Sequence, residues 1–574
     1  MKQICALFLL AAAAVTTVPA VAFQPGRVEL LCHRTANQDV PENTLESLEQ
    51  AAILGCGAVE IDLRRTLDGE IVLNHDGILE RLTDGVGEVE NTYYDDLRLR
   101  DTGAWMGERF EGMHIAKFED ALRVARKYDI RLMLDIKTKG IEPEVMELAR
   151  RQGMLERVQN AGDATTVWVQ PDLTTDQLKA YHAAGKTVVV NFTANRHEMD
   201  LAGMKAAVAE GADGISVDYP RLGADAVGRP VEVRLNALAV RANAGGSSDR
   251  AKAILELSRY RGFKLEAEFA HWLLDPDDQV SRAAAVALAT ARPQPHPALF
   301  SKALRSENAD ARANAAWALG VLGAPVATLL PLLQDRNPRV LQESLLALAR
   351  MPGEVSAQTL LPMLANEDPS VRGAAALALA RHQPTVALKA IPVRLRLEVQ
   401  TTVRLNDDYL RRGKPQLTQA EIDEITRHFR CQMKMVQAIS MLKGAEAMQV
   451  LEEQAFRPTV EFTQMLGQVT AFQLWDRIGA DARPAVQALG AADAQVADRA
   501  EWMLVQGGSA VLPDVRRALG SEDASLRRRA IRIVAWQGDT ESLETLRRIQ
   551  NTDTADSPLA VWAINKIEIL HPKL

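Results

Sequence analysis

Between His33 and Lys137 the chain gathers residue types suited to a charged ester. Glu60 and Asp62 stand two residues apart. On a strand that spacing turns both carboxylates to one face, where hard cations find oxygen donors. Asp135 offers a third carboxylate from another segment, and Arg34 and Lys137 offer cations that match phosphate oxygens. His33 and His75 lie in separate segments, as a general acid and a general base flanking one bond would. Taken singly, each feature is common. A Glu-x-Asp pair is more often a solvated or ion-paired face, and one histidine at a strand end is more often structural. Asn43 with Glu46 three residues later reads as a capping box, so part of Pro41-Glu42-Asn43-Thr44 also serves as a helix start.

The elements that must position these groups alternate between two periods. β-rich apolar runs occur at 28–32, 58–63, 71–74, 131–136, 166–169, 187–190 and 214–217, with helical stretches such as 45–54 and 118–127 between them. Continuous apolar strands alternating with helices predict a buried parallel sheet, a barrel or a doubly wound fold. The runs number seven where a complete barrel wants eight. The missing strand is expected between Leu155 and Ala164. The chemical residues fall at the predicted C-terminal ends of strands, the face on which barrel active sites form.

After Gly245-Gly246-Ser247-Ser248 strand patterns stop and a repeat begins. Val280, Ala311, Val340 and Val371 are 31, 29 and 31 residues apart, and Val496 and Leu526 are 30 apart. A unit of that size holds one helical hairpin, which buries its apolar face only by stacking on its neighbours. Asp or Asn before each Ala/Leu run starts a helix, and Pro suits the first turn. Arg282, Arg312, Arg372 and Arg528 recur near those starts. The pattern degenerates between about 383 and 477, where longer helices are expected. Trp272, Trp317, Trp475, Trp502, Trp536 and Trp562 are expected to fill the repeat core. This stretch resembles HEAT-like repeats of a short, Ala-rich kind.

With 574 residues, 47% hydrophobic and 25% charged, the chain suits two or more folded domains. A net charge of −8 gives no surplus of cations for nucleic acid. Lys2, the apolar run 4–15 and Ala20-Val21-Ala22 read as an export signal cut before Phe23. The mature chain offers no transmembrane helix, and an exported, periplasmic or secreted location follows. The expected division is 1–22 signal, 23–240 barrel, 241–250 linker and 251–574 repeats. Cys32 and Cys56 fall near opposite ends of neighbouring strands in this reading, too far apart to bridge, so no disulfide is expected.

The ordered set His33-Arg34-Thr35, Pro41-Glu42-Asn43-Thr44, Glu60-Ile61-Asp62, Thr66-Leu67-Asp68-Gly69, Val72-Leu73-Asn74-His75-Asp76 and Asp135-Ile136-Lys137 resembles the signature of the glycerophosphodiester phosphodiesterase family. Arg81-Leu82-Thr83-Asp84-Gly85, Phe192-Thr193-Ala194-Asn195 and Asp218-Tyr219-Pro220 extend the likeness over roughly residues 28–225. The resemblance implies a TIM-type (β/α) barrel, here followed by an α-solenoid. It implies a divalent ion, Ca²⁺ or Mg²⁺, on Glu60, Asp62 and Asp135, with His33 and His75 as the acid/base pair. Arg34 and Lys137 would bind the phosphate, with Glu42 in support. The implied reaction splits glycerol 3-phosphate from an alcohol such as choline or ethanolamine.

Three positions depart from the family pattern. Asp135 stands where the family has Glu, Thr35 where it has Gly, and Phe192 where it has a Trp lining the pocket. These changes bear on metal affinity and substrate identity. Two other functions fit the same residues: a diesterase for lysophospholipids or other lipid headgroups, and a repeat-based scaffold for a protein partner with an inactive barrel.

Overall fold

The computed structural model describes residues 28–571 apart from 108–109, 163, 194–196, 261–262, 292–293, 459, 475–480 and 553–554. The expected export signal at 1–22 lies outside the described residues. The chain divides into two compact units, Met1–Leu299 and Phe300–Leu574.

Eight strands form in the first unit: β1 (Glu29–Cys32), β2 (Ala58–Arg65), β3 (Ile71–Leu73), β4 (Arg131–Ile136), β5 (Val158–Asn160), β6 (Thr166–Val169), β7 (Thr187–Asn191) and β8 (Gly214–Val217). The strand sought between Leu155 and Ala164 is β5. The sheet runs β5-β4-β2-β1-β8-β7-β6, and every ladder on that path is parallel. First and last strands lie side by side, as in a sheet curling into a barrel. Across the seam, Gln159 Nε2 donates to Thr166 Oγ1 at 3.0 Å and Trp168 Nε1 donates to the Ala161 carbonyl at 3.0 Å. Leu30, Leu31, Val59, Ile61, Leu132, Leu134, Val189 and Ile215 are buried, which explains their unbroken apolar runs.

β3 departs from the expected pattern. Its apolar run reads as one more barrel strand, yet it pairs antiparallel with the far end of β2, Leu63 against Leu73 and Arg65 against Ile71. Gly69, at φ +90, makes the reversal in the Thr66–Gly69 segment.

The first unit also carries a Cys32–Cys56 disulfide, with Cα atoms 6.0 Å apart, contrary to the sequence expectation. The cause is register. Leu31 pairs with Ala58 and Cys32 with Val59, so β2 starts where β1 ends. Strand stagger of this kind is what closes a barrel, and it brings the start of one strand beside the end of its neighbour.

Residues 241–250 take in the end of one helix, a short turn at 244–246 and the start of the next. The two helices, Val231–Asn243 and Ser247–Leu257, pack on each other. Gly245 takes a left-handed φ of +110 there.

In the second unit the repeat pattern is realised. Asn308, Asn337, Asp368, Asp493 and Asp523 each cap a helix by accepting from its first-turn N–H groups. Ala311, Val340, Val371 and Val496 are buried, whereas Leu526 is half-exposed. Arg312 makes a two-pronged pair with Asp335, at 2.7 and 3.0 Å, and Arg372 does the same with Glu398, at 2.7 and 2.8 Å. The degenerate stretch holds helices of 28 and 22 residues, Pro384–Arg411 and Gln419–Ser440.

The tryptophans correct the core expectation. Trp272 is buried, but Trp502 and Trp536 are about half exposed, at 51% and 52%. Trp562 is exposed too. The inner positions of these helices hold Ala, Ile and Val, whose small volumes let the helices approach and leave no room for indoles. Trp536 and Trp562 pack edge to face instead, with Lys566 over the Trp536 ring at 3.9 Å. Trp475 lies outside the described residues. No helix among the described residues is long and apolar enough to cross a membrane.

Candidate active site

Register builds the acidic centre. β2 and β4 pair so that Asp62 stands directly opposite Asp135, and Glu60, two residues earlier, faces the same way. Oxygens of Glu60, Asp62 and Asp135 all lie within 4.8 Å of one another. The shorter side chain at 135 therefore still reaches the cluster. Lys137, two residues on, returns to this face, its Nζ 2.6 Å from Asp135 and 3.1 Å from Asp62. Those carboxylates raise its pKa despite the opposing effect of burial.

This donor set fits a hard divalent cation. It is all oxygen and carries three carboxylates. Asp62 Oδ1 is buried and makes no hydrogen bond, although Lys137 lies close by. Burial, then the charge of Asp62, push the Glu60 carboxyl well above its usual range, a repulsion that a cation would relieve.

Around this centre the chain leaves β1 in a tight bend. Arg34 and Thr35 take left-handed φ values of 47 and 72. That conformation explains why glycine suits position 35. Thr35 does not narrow the site; it is buried, donates to Ser47 Oγ at 2.6 Å and accepts from the Asn43 amide at 3.2 Å. The bend aims the Arg34 amide at Glu60 (2.8 Å) and sets the Arg34 guanidinium 3.5 Å from Glu42 and 3.8 Å from Asp62.

Asn43 is not the helix cap. Thr44 caps Leu45–Leu54, accepting from the Ser47 amide. Asn43, at φ 57, is freed to grip Asp62 twice, donating from Nδ2 to the carboxylate at 2.8 Å and accepting from the Asp62 amide at 3.0 Å.

Each histidine is held by a carboxylate. His33 Nδ1 lies 2.7 Å from Asp218, and His75 Nδ1 lies 2.6 Å from Asp76. Burial alone would lower the His33 pKa, but its bond to Asp218 and the charge of Glu60 outweigh this and raise it. Arg81 ties the His75 side to Arg34. It donates to Glu42 at 2.8 and 3.1 Å and pairs with Asp76, whose pKa its hydrogen bonds hold down at about 2. Contacts thus run unbroken from His75 through Asp76, Arg81 and Glu42 to Arg34, the neighbour of His33.

His33, Arg34, Glu42, Glu60, Asp62, His75, Asp135 and Lys137 gather here, but His75 arrives by an unexpected route. It follows the antiparallel β3, and the Asn74 amide donates to the Asp62 carbonyl at 3.1 Å, setting His75 beside the acidic strand. The sequence reading assigned no role to Asp218, to the Arg81–Asp76 pair, or to Asn37, which donates to Asp218 at 2.7 Å. Barrel closure was the available signal: β8 pairs with β1, Val217 opposite Cys32, so the next residues meet. Phe192 is fully buried and forms core, not a pocket wall. Ala194 and Asn195 lie outside the described residues.

Residues 33–170 match the model of the glycerophosphoryl diester phosphodiesterase family, and residues 296–380 match that of HEAT repeats. The chain is similar to a glycerophosphodiester phosphodiesterase of Caldanaerobacter subterraneus, 29% identical over 134 residues, 22% of this chain and 55% of the relative. It is also similar to glycerophosphodiester phosphodiesterase 1 of Bos taurus, 33% identical over 113 residues, 19% of this chain and 34% of the relative. A solved glycerophosphodiester phosphodiesterase from Agrobacterium tumefaciens is 22% identical, with 34% of this chain and 99% of that chain covered and a TM-score of 0.32. The chain spans about half the length, or less, of these curated relatives. Residues 33–170 are thus similar to the glycerophosphoryl diester phosphodiesterase family, and residues 296–380 to HEAT repeats.

Proposed function

We propose that the barrel hydrolyses a glycerophosphodiester to glycerol 3-phosphate and an alcohol, with His33 and His75 as the acid/base pair. One observation carries this reading: three clustered carboxylates and two cations share contacts, flanked by two carboxylate-held imidazoles, His33 next to Arg34 in the chain and His75 linked through Asp76, Arg81 and Glu42. Glu60, Asp62 and Asp135 would hold a divalent ion, Ca²⁺ or Mg²⁺, which when bound supplies positive charge to the phosphate oxygens. Arg34 and Lys137 bind the same oxygens from the protein side, each oriented by neighbouring carboxylates. With Nδ1 of both histidines turned to a carboxylate, Nε2 faces the substrate in each. One Nε2 takes a proton from an attacking water as the water oxygen bonds to phosphorus and the bond to the alcohol breaks. The other gives a proton to the departing alcohol oxygen.

Glycerophosphocholine is the first substrate to try, with glycerol 3-phosphate release followed in Ca²⁺, in Mg²⁺ and in chelator. Metal-dependent turnover that disappears in His33→Ala and in Glu60→Gln is expected. Turnover indifferent to both substitutions would overturn the assignment. A lysophospholipid substrate is a second reading, favoured by Ile78, which is 49% exposed three residues beyond His75. Action outside the cytoplasm is supported by the signal-like residues 1–22 and by the Cys32–Cys56 disulfide, a bond that persists in oxidising compartments.

A further inference from the structure

Helix Gln419–Ser440 of the second unit carries a stripe that changes character along its length. Arg430, Lys434, Gln437 and Met441 recur at intervals of four, three and four residues, one face of a helix. They line a groove of about 480 Å³ together with Met433, Val436 and Val469, the last from helix Gln464–Leu474. That volume falls in the range of small-molecule sites.

The cationic end is built, not incidental. Helix Pro369–His382 crosses here at Gly373, where a Cβ would lie 3.2 Å from Cβ and Cδ of Lys434 and 3.1 Å from Cα of Cys431. A side chain at position 373 would crowd the Lys434 stem and the Cys431 backbone. Burial, then the charge of Arg430, lower the Lys434 pKa, so a half-buried lysine sits within reach of the exposed Arg430 cation. Among the described residues no acid forms a hydrogen bond or ion pair with either cation. Glu343, whose charge reaches Lys434, stays beyond pairing distance. In a chain of net charge −8, unneutralised paired cations call for an anion.

Most of the remaining lining is apolar, with Met433 and Met441 able to adapt to a chain of variable shape, and Gln437, Ser440 and Gln473 border it. We propose that this groove binds a single-chain amphiphile with a phosphate head, the head between Arg430 and Lys434 and the chain along Met433, Val436, Met441 and Val469. An acidic peptide fits less well. The neighbouring cleft at Arg427 carries Glu367 and Asp368 as well as Arg336, a mixed lining with no continuous cationic track for a longer anionic ligand.

The test reads binding, so it stands apart from turnover in the barrel. The full chain carrying His33→Ala is titrated calorimetrically with monomeric lysophosphatidate, glycerol 3-phosphate, inorganic phosphate, vesicles of two-chain phosphatidate and an acidic decapeptide. Saturable binding of lysophosphatidate is expected, at least tenfold tighter than either chainless phosphate. Arg430→Gln/Lys434→Gln should weaken it at least tenfold with the unfolding midpoint unchanged. Met441→Asp, at an exposed position, should weaken it as well and so provides a second variant. Equal affinity in both variants would falsify the proposal. So would equal binding of glycerol 3-phosphate, preference for the decapeptide, or binding to vesicles alone.

Discussion

A histidine moves protons usefully when one ring nitrogen is fixed and the other is presented. Asp218 does the fixing for His33 from 185 residues away and, with Glu60, favours the imidazolium. Replacing Asp218 by Asn keeps the shape and removes the charge. The His33 pKa, now raised, should fall, so the matching limb of the pH–rate profile should move to lower pH. Turnover should drop by about 10² to 10⁴, the usual worth of a positioned acid or base. A profile that drops uniformly without moving would reduce Asp218 to a structural role. At this scale the sequence was legible in residue type: His33, Glu60, Asp62, His75, Asp135 and Lys137 all converge. The partner of each was not, because hydrogen-bond partners depend on which strands become neighbours.

At the scale of elements, register does the work. The stagger of β1 against β2 that permits the Cys32–Cys56 bond also places the Arg34 amide on Glu60. The bond closes a loop of 24 residues, and its loss in Cys32→Ala/Cys56→Ala should cost about 3 kcal/mol by loop entropy. Denaturant unfolding measures this; a first-unit midpoint that stays in place would refute it.

The long helices of the second unit meet at Glu398, whose side chain is 1% exposed among Arg372, Arg394 and His428. Burial opposes its charge, but bonds from His428 and Arg372 prevail and hold it at about 2. A depressed carboxylate stabilises above its unfolded pKa of about 4.3, and that stability is lost as pH falls from there towards 2. Glu398→Gln should therefore flatten the acid limb of second-unit stability between about pH 4.3 and 2, an effect on the order of 3 kcal/mol. Unfolding titrations at pH 7, 4 and 2.5 follow it, and parallel acid limbs in both proteins would refute it.

For the whole molecule, two compact units mean two sources of stability. A cation on Glu60, Asp62 and Asp135 binds folded barrel only. At a concentration 100-fold above its Kd it should stabilise that unit by about 2.7 kcal/mol. Chelator should then lower one calorimetric transition and leave the other in place, and two transitions both insensitive to chelator would argue against a bound ion.

The sequence by itself determined which chemically capable residue types the first unit contains and that helical repeats follow. Residue type, strand period and the Asp/Asn caps are local properties, fixed within a few neighbours in the chain. Only the tertiary structure decided that β3 runs antiparallel, that Cys32 meets Cys56, that Asn43 grips Asp62 while Thr44 caps the helix, and that Asp218 holds His33. Each of these rests on stagger and closure of the sheet, which the packing of all strands together sets and no single strand encodes.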